Sequence, residues 1–520
     1  MMILYVATFS GVSSVDAYYY YTNIDKGPFA YLCHPHHLAY LLVGKGWVLF
    51  WQALGYNGPS LLPMKVMSLL GALGILIVFK KLICLVLPRG LAAHFTFLAL
   101  GCSYLPWHYS TEGEPVIFFQ FFSIWILYFF VRWYCDPQPT TKLALKMGIV
   151  VSLGTLFHQA LFFIVPLYAL AMIHRGDQSN RLSFLVRLLV PVFLLVAVPY
   201  LTLGYAVTHS YDPRELVAWA TGYLDEFTGI YGSTNLNPSL ILRGMSSAFL
   251  GGTALKPYFY GGQAHDLQFY LAVAIQILAM GLVGSGVLLF ALQWRAYDFL
   301  QKKKMMVVGI FTLIFIGAAI YWEPVSRKFW APITPGLLLL AGCGWVGLGR
   351  IKGRISLPSR FAESILGCLF LVLLVGNLQG GILHKHKARD LEQGLALNLL
   401  EVFQTGDLLV MQADRLWQSV DYNFPEIRNA RVEEYVNQDW AAADTTLNFA
   451  AKSMWETLQS GDIGYVSSKV DQRLTSQMAK LSEPAAGRLE KSFLFRFADQ
   501  EQANKESELW SWRWIAEEIQ

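Results

Sequence analysis

Residues 268–293 read QFYLAVAIQILAMGLVGSGVLLFALQ, a run that contains no Asp, Glu, Lys or Arg. A helix needs roughly 20 apolar residues to cross the hydrocarbon core of a bilayer, and this run exceeds that length. Comparable apolar runs recur along most of the chain, at about 2–15, 63–87, 91–107, 115–134, 144–173, 183–207, 305–321, 330–348 and 361–383. The pattern predicts an all-α polytopic membrane domain.

Composition divides the chain of 520 residues into two parts. The whole chain is 55% hydrophobic and 15% charged, whereas soluble proteins carry roughly 25% charged residues. The deficit of charge lies in residues 1–383, and residues 384–520 have an ordinary soluble composition. We therefore predict a membrane domain over 1–383 and a small soluble domain over 384–520.

Charge and cysteine content exclude several classes of protein. The net charge of +4 is small for this length, so we interpret the basic residues as topology signals and expect no nucleic-acid partner. The six cysteines form no CxxC pair, which argues against a disulfide framework and against a cysteine-based zinc site.

Basic clusters follow the second, fourth, fifth, seventh and ninth apolar runs in chain order, and the positive-inside rule places such clusters in the cytoplasm. Under this rule both ends of the run 144–173 lie inside. We favour a hairpin of two short helices that meet at His158-Gln159; the alternative is one tilted span with a violated charge cluster. The hairpin gives about 11 membrane helices, a cytoplasmic N-terminus and an extracytoplasmic C-terminal domain. Three of the outward-facing loops carry most of the candidate residues: 16–62, 108–114 and 208–267.

Local patterns predict further elements in the loops and in the C-terminal domain. Segment 36–56 is typical of a helix that lies in the membrane interface, with Trp47 and Trp51 as anchors. Short helices are expected at 213–230 and 238–250. The C-terminal domain is predicted to be α/β, with strands at 406–412, 462–468 and 492–498 and helices at 413–422 and 444–459.

Asp16 is the sharpest candidate for chemistry. It directly follows the first apolar run and precedes four tyrosines, Tyr18 to Tyr21. A carboxylate at membrane level costs a few kcal/mol on insertion scales, so its presence there favours a function. The alternative is a helix-end residue that rests among the lipid headgroups.

Histidines form a second group of candidates. His34, His36 and His37 lie close together in the first outer loop and suggest a metal at first glance. No second ligand cluster of matching spacing is evident, so we favour a structural or interfacial role and predict no metal site. His158 stands alone at the predicted hairpin apex, which again favours a structural role. Contacts with substrate stay open for all four, and so does a divalent cation as cofactor.

Charged residues of two later outer loops complete the candidates. Glu112 and Glu114 precede a helix, where acidic side chains also serve the helix dipole. Arg327 and Lys328 face outward under this topology, against the usual charge bias. A phosphate ligand would explain two cations there, and the alternative is a contact with lipid headgroups.

The order of these features resembles the GT-C superfamily of integral membrane glycosyltransferases. The resemblance rests on Asp16 after the first helix, His34-Pro35 in a long outer loop, Glu114-Pro115 before a helix, the mid-chain hairpin, and the R-K-F-x-x-P-x-x-P element that begins at Arg327. It covers roughly residues 1–383 and is strongest toward the branch of protein O-mannosyltransferases and aminoarabinose transferases.

The resemblance implies a sugar transferase that uses a polyprenyl-phosphate donor and inverts the anomeric centre. Asp16 would be the base, Glu114 the second acidic position and Arg327 a contact to the donor phosphate. The acceptor is open: a protein, a lipid or a glycan. Three departures affect the donor and the branch. Ala17-Tyr18 replaces an acidic or glycine neighbour of the aspartate, His158-Gln159 replaces the lysine that is common near the hairpin apex, and the first helix is short.

Rival interpretations remain at this point. A transporter or flippase would place ionisable residues near helix midpoints and show repeated halves, and neither is evident. A polyprenyl-linked glycan polymerase or ligase would suit the long loop 208–267 but would not need Asp16. A scaffold that has lost activity is the third. We expect a bacterial inner membrane protein with its C-terminal domain outside.

Overall fold

The computed structural model describes residues 1–11, 13–136, 140–166, 168, 181–221, 237–251, 267–348, 359–383 and 386, together with the backbone of five strands between residues 408 and 516. The chain forms two compact units. The first comprises Met1–Ser10, Asn23–Ala254 and Leu267–His386, and the second comprises Gly11–Thr22, Leu255–Asp266 and Lys387–Gln520.

Helices make up the described part of the first unit, and short turns of 3-10 or π helix interrupt or extend them. In chain order the α-helices are α1 Met2–Ala7, α2 Val15–Asp25, α3 Phe29–Leu32, α4 Leu38–Ala53, α5 Leu61–Val86, α6 Leu91–Cys102, α7 Tyr104–Tyr109, α8 Val116–Cys135, α9 Thr141–Phe157, α10 Arg181–Val192, α11 Val198–Thr208, α12 Pro213–Thr221, α13 Pro238–Phe249, α14 Leu267–Leu292, α15 Phe299–Trp322, α16 Ile333–Gly347 and α17 Ser359–Asn377. Helix α2 begins in the second unit.

Six helices among the described residues are long and apolar enough to cross a membrane: Leu61–Val86, Val116–Cys135, Leu182–Thr208, Phe269–Leu292, Phe299–Trp322 and Arg360–Ile382. Two shorter apolar helices are Leu91–Cys102 and Ile333–Gly347. These eight lie on eight of the predicted apolar runs. Within the described residues, the remaining runs, 2–15 and 144–173, form shorter elements. The predicted total of about 11 membrane helices had included both runs.

The first apolar run is not one helix, which corrects the expected position of Asp16. Helix α1 ends at Ala7, and α2 begins at Val15. The Ser14 Oγ accepts a hydrogen bond from the Ala17 N–H at 3.1 Å, as an N-cap does. Asp16 therefore lies in the first turn of a second helix instead of beyond the end of a spanning one. The glycine and serines between residues 10 and 14 favour this break because they suit caps and turns.

The predicted break at His158-Gln159 is present. Helix α9 ends at Phe157, His158 adopts an extended backbone, and a 3-10 turn follows over Gln159–Phe163. Most of the predicted returning helix, as far as residue 173, lies outside the described residues. The 3-10 turn Pro35–His37 and helix α4 correspond to the predicted interfacial helix 36–56.

Gly244 in α13 holds the turn that carries Arg327. A Cβ at this position would overlap the Pro324 carbonyl oxygen and lie 2.6 Å from the Trp330 Nε1. The same carbonyl accepts a hydrogen bond from the Trp330 Nε1–H at 3.0 Å. Close packing of a glycine against this backbone thus fixes the segment between residues 324 and 330.

Gly244→Ala should lower the melting temperature of the purified protein, because the added methyl group displaces the Pro324 backbone at a cost of about 1–3 kcal/mol. Gly309→Ala in α15 is the matched control, since a Cβ there meets nothing within 4 Å. The control should be neutral or slightly stabilising. Equal melting temperatures for both variants in the same detergent would contradict the close contact.

The second unit contains a mixed sheet built by β1 Leu408–Gln412, β2 Arg428–Val432, β3 Gly464–Ser467, β4 Gly487–Ala498 and β5 Glu506–Ala516. Its strand order is β2-β1-β3-β5-β4. β1 pairs in parallel with β2 and β3, and β5 pairs antiparallel with β3 and β4. Three strands lie where the sequence predicts them, whereas β2 and β5 were missed. The helices expected at 413–422 and 444–459 lie outside the described residues, so the α/β class stays a prediction.

Candidate functional site

A charged cluster joins the loop after α7 to the 3-10 turn Arg327–Trp330. The Glu114 carboxylate lies 2.7 Å from the Lys328 Nζ. The Glu114 side chain is 2% exposed and the Lys328 side chain 31% exposed. The carboxylate is thus enclosed, whereas the ammonium group that it holds keeps access to its surroundings.

Arg327 belongs to the same cluster and lies against Tyr104. Its guanidinium carbon is 5.1 Å from the centroid of the Tyr104 ring, within the range of a cation–π interaction. Burial raises the pKa of the nearby Tyr109, and the charge of Glu114 raises it further, against the opposite effect of Lys328 and Arg327. Tyr109 is therefore a neutral phenol at pH 7. Neither tyrosine was a candidate from sequence, although Tyr109 lies within the WHYSTEGE segment and Tyr104 shortly before it.

Two buried polar contacts fix the turn that carries these cations. The Gln120 Nε2 of α8 donates a hydrogen bond to the Ala331 carbonyl at 3.1 Å. The Thr334 hydroxyl donates to the Trp330 carbonyl at 3.0 Å, and the Trp330 side chain is buried. Arg327 and Lys328 are therefore presented from a turn whose C-terminal end is held by two hydrogen bonds.

Glu112 is paired with a residue of the preceding helix, α7. Its carboxylate is fully buried and lies 3.6 Å from the His108 Nδ1. The His108 ring in turn stacks on Tyr104, with centroids 4.9 Å apart. Glu114 thus contacts a lysine and Glu112 a histidine. Neither contact was expected from the sequence, which indicated only an interaction with the helix dipole.

Histidines form a second cluster in the first unit, and this corrects the interpretation of His158 as a lone side chain. The possible ligand atoms of His36, His37 and His158 all lie within 4.8 Å of one another. Ring centroids are 4.5 Å apart between His36 and His158 and 4.9 Å apart between His37 and His158. His34 stacks on His37 at 5.9 Å. The sequence could not reveal this grouping because the two segments meet only in the folded chain.

The surroundings of the histidines are aromatic. Phe119 stacks on His158 at 3.9 Å, and Trp322 lies 6.0 Å from His36. Burial lowers the pKa of His36 to about 3 and that of His34 to about 4. Burial also lowers the pKa of His37 and His158 well below the usual value. All four rings are consequently neutral at pH 7.

The two clusters are neighbours. Phe329, which follows Lys328 in the chain, lies edge-on to His158 with centroids 6.4 Å apart. The charge of Lys328 also contributes to the lowered pKa of His158, after burial and His36. An anionic group held by the cations would therefore lie close to the histidines.

Asp16 belongs to the second unit, whereas Glu114, Arg327 and Lys328 belong to the first. Its side chain is exposed, and the Tyr18 and Tyr21 rings that follow it are buried and meet edge to face at 6.0 Å. Acidic residues in the first turn of a helix are favoured by the helix dipole. The structure thus brings together every predicted site residue of the first unit into two adjacent clusters.

No protein-family model and no curated protein matches this sequence. Two crystal structures of ArnT from Cupriavidus metallidurans are similar over nearly the whole chain. The structure bound to undecaprenyl phosphate has a TM-score of 0.57 at 12% identity, and the apo structure has 0.56 at 11%. Each comparison covers 98% of this chain and 96% of that chain. The chain is an integral, multi-pass membrane protein with the fold of ArnT.

Proposed function

We propose that this protein is a membrane glycosyltransferase that moves a sugar from a polyprenyl-phosphate donor to an acceptor at the outer face of the membrane. The observation that carries the proposal is the cluster of Arg327, Lys328 and Glu114 on a fold shared with a protein crystallised with undecaprenyl phosphate. Arginine and lysine side by side suit a phosphate, because a guanidinium offers paired donors and an ammonium adds charge.

The reaction requires a base and a stabilised leaving group. An acceptor oxygen attacks the anomeric carbon, the bond from that carbon to the phosphate oxygen breaks, and polyprenyl phosphate departs with the electron pair. Asp16 takes the proton of the acceptor hydroxyl. Arg327 and Lys328 bind the charge that develops on the departing phosphate. Attack from the face opposite the phosphate inverts the anomeric centre.

Other residues of the clusters hold this machinery. Glu114 positions Lys328 through their ion pair, and Glu112 keeps the same loop in place through His108. His34, His36, His37 and His158 line the neighbouring region and are proposed to contact the donor. We place the protein in a bacterial inner membrane with its C-terminal domain outside.

Reconstitution with a panel of polyprenyl-phosphate sugars tests the function. We expect one member of the panel to yield free polyprenyl phosphate together with a product of inverted anomeric configuration, measured by mass spectrometry and NMR. Binding of undecaprenyl phosphate without release from any lipid-linked sugar would contradict transfer and favour a transporter.

Glu114→Gln should lower the rate of transfer about 10- to 100-fold, because a hydrogen bond to a charged group contributes about 1.5–3 kcal/mol. The carboxamide keeps the shape of Glu114 but loses the charge that positions Lys328. Glu363→Gln in α17 is the control and should retain the wild-type rate. Equal rates for the two variants would show that the pair has no part in catalysis.

A further inference from the structure

We propose that His36, His37 and His158 bind a divalent transition-metal ion of the zinc class. The inference goes beyond the proposed transfer and does not depend on it. Three imidazole nitrogens are a ligand set that suits zinc, copper, nickel or cobalt. Three protein ligands also leave a coordination position for water or for another oxygen ligand.

The geometry lies close to that of a bound ion. The three possible ligand atoms are at most 4.8 Å apart, so a point between them is at most about 2.8 Å from each. Zinc–nitrogen bonds are about 2.0–2.1 Å long. Movement of each ring by about 0.7 Å therefore completes the coordination. His36 and His37 lie in a 3-10 turn and His158 lies at a helix break, so their side chains can make that movement.

The surroundings of the rings fit as well. A metal binds the neutral imidazole, and the His37 and His158 side chains are buried. The His37 Nδ1 lies 3.1 Å from the Phe157 carbonyl oxygen. This contact favours a proton on Nδ1 and leaves Nε2 for the metal, as is usual for metal-binding histidines. The Ala160 N–H approaches the His158 Nδ1 at 3.4 Å, a long hydrogen bond that is readily given up.

Nearby positive charge does not prevent binding. The ammonium group of Lys328 acts on His158, but Glu114 lies 2.7 Å from that group and compensates its charge. An aromatic cluster without a metal is the alternative. Such a cluster would hold no stoichiometric ion.

Metal analysis of the full-length protein tests the site. The protein is purified in detergent with an affinity tag that contains no histidine, loaded with Zn²⁺, and analysed by inductively coupled plasma mass spectrometry. We expect about one ion per chain. Each of His36→Gln, His37→Gln and His158→Gln should weaken Zn²⁺ binding more than about 100-fold. His94→Gln is the control because His94 is exposed and bonds only locally, to the Gly90 carbonyl.

Two results would overturn the proposal. The first is wild-type protein that holds no stoichiometric ion. The second is Zn²⁺ binding that the His158 and His94 variants retain equally, which would indicate adventitious surface binding. Should a variant fail to fold, X-ray absorption of the wild-type Zn²⁺ complex decides, since fewer than three imidazole ligands would refute the site. Neither measurement requires sugar transfer, so failure here leaves the proposed function intact.

Discussion

Asp16→Asn should reduce sugar transfer by about 10²- to 10⁴-fold, the range over which a positioned general base accelerates a reaction. Asparagine keeps the size of the side chain and its place in the first turn of α2. It cannot accept the proton of the acceptor hydroxyl. Affinity for polyprenyl phosphate should be unchanged, because the proposed phosphate contacts are Arg327 and Lys328. The rate is measured as release of polyprenyl phosphate, and the affinity by titration with undecaprenyl phosphate.

A matched control separates catalysis from helix stability. Glu215 lies in the first turn of α12, as Asp16 does in α2, and both side chains are exposed. Glu215→Gln removes the same favourable interaction with a helix dipole, about 0.3–1 kcal/mol. Its transfer rate should equal that of the wild type. A normal rate for Asp16→Asn with intact expression would refute the base and favour a polymerase or a scaffold.

The membrane helices were predictable because the bilayer dictates their length and composition. A run such as 268–293 has only one stable arrangement in hydrocarbon, since every backbone polar group must be bonded within the segment. Helix α14 accordingly covers Leu267–Leu292. The same rule predicts a membrane helix over 63–87, and α5 covers Leu61–Val86.

Breaks within apolar runs were harder to predict. Hydropathy alone merged α1 with the residues before Asp16, although Ser14 and its neighbours carry the signal of an N-cap. At His158 the charge rule identified the break correctly.

In the second unit β5 was missed even though ESELWSWRWIA alternates polar and apolar residues over much of its length, which is the pattern of a strand.

The candidate residues were predictable one by one, but their grouping was not. Glu114 and Lys328 are far apart in the chain, and nothing in their spacing indicates the 2.7 Å contact. The same holds for His36 and His158. Such pairs form where loops from different helices meet, so only the tertiary structure reveals them. Tyr104 and Tyr109 were missed because aromatic residues are common in membrane helices and carry no signal of a site.

Arg327→Ala should weaken the binding of polyprenyl phosphate on the order of 2–4 kcal/mol, the contribution of a charged contact in an enclosed site. That range corresponds to a loss of affinity of about 30- to 1000-fold. The reason lies in the position of the guanidinium, which Tyr104 holds from one side while Glu114 engages the neighbouring Lys328. The fixed guanidinium can therefore meet a phosphate without first being ordered.

Arg327→Lys distinguishes geometry from charge alone. Lysine keeps the positive charge but offers a point charge in place of a planar fork, so most of the lost affinity should not return. Arg214→Ala, at an exposed position in α12, is the control and should bind donor as the wild type does. Affinity is measured by titration with undecaprenyl phosphate, and the melting temperature of each variant confirms folding. Wild-type affinity in folded Arg327→Ala would show that Arg327 does not bind the phosphate. Full recovery of affinity in Arg327→Lys would mean that the site recognises charge without paired hydrogen bonds.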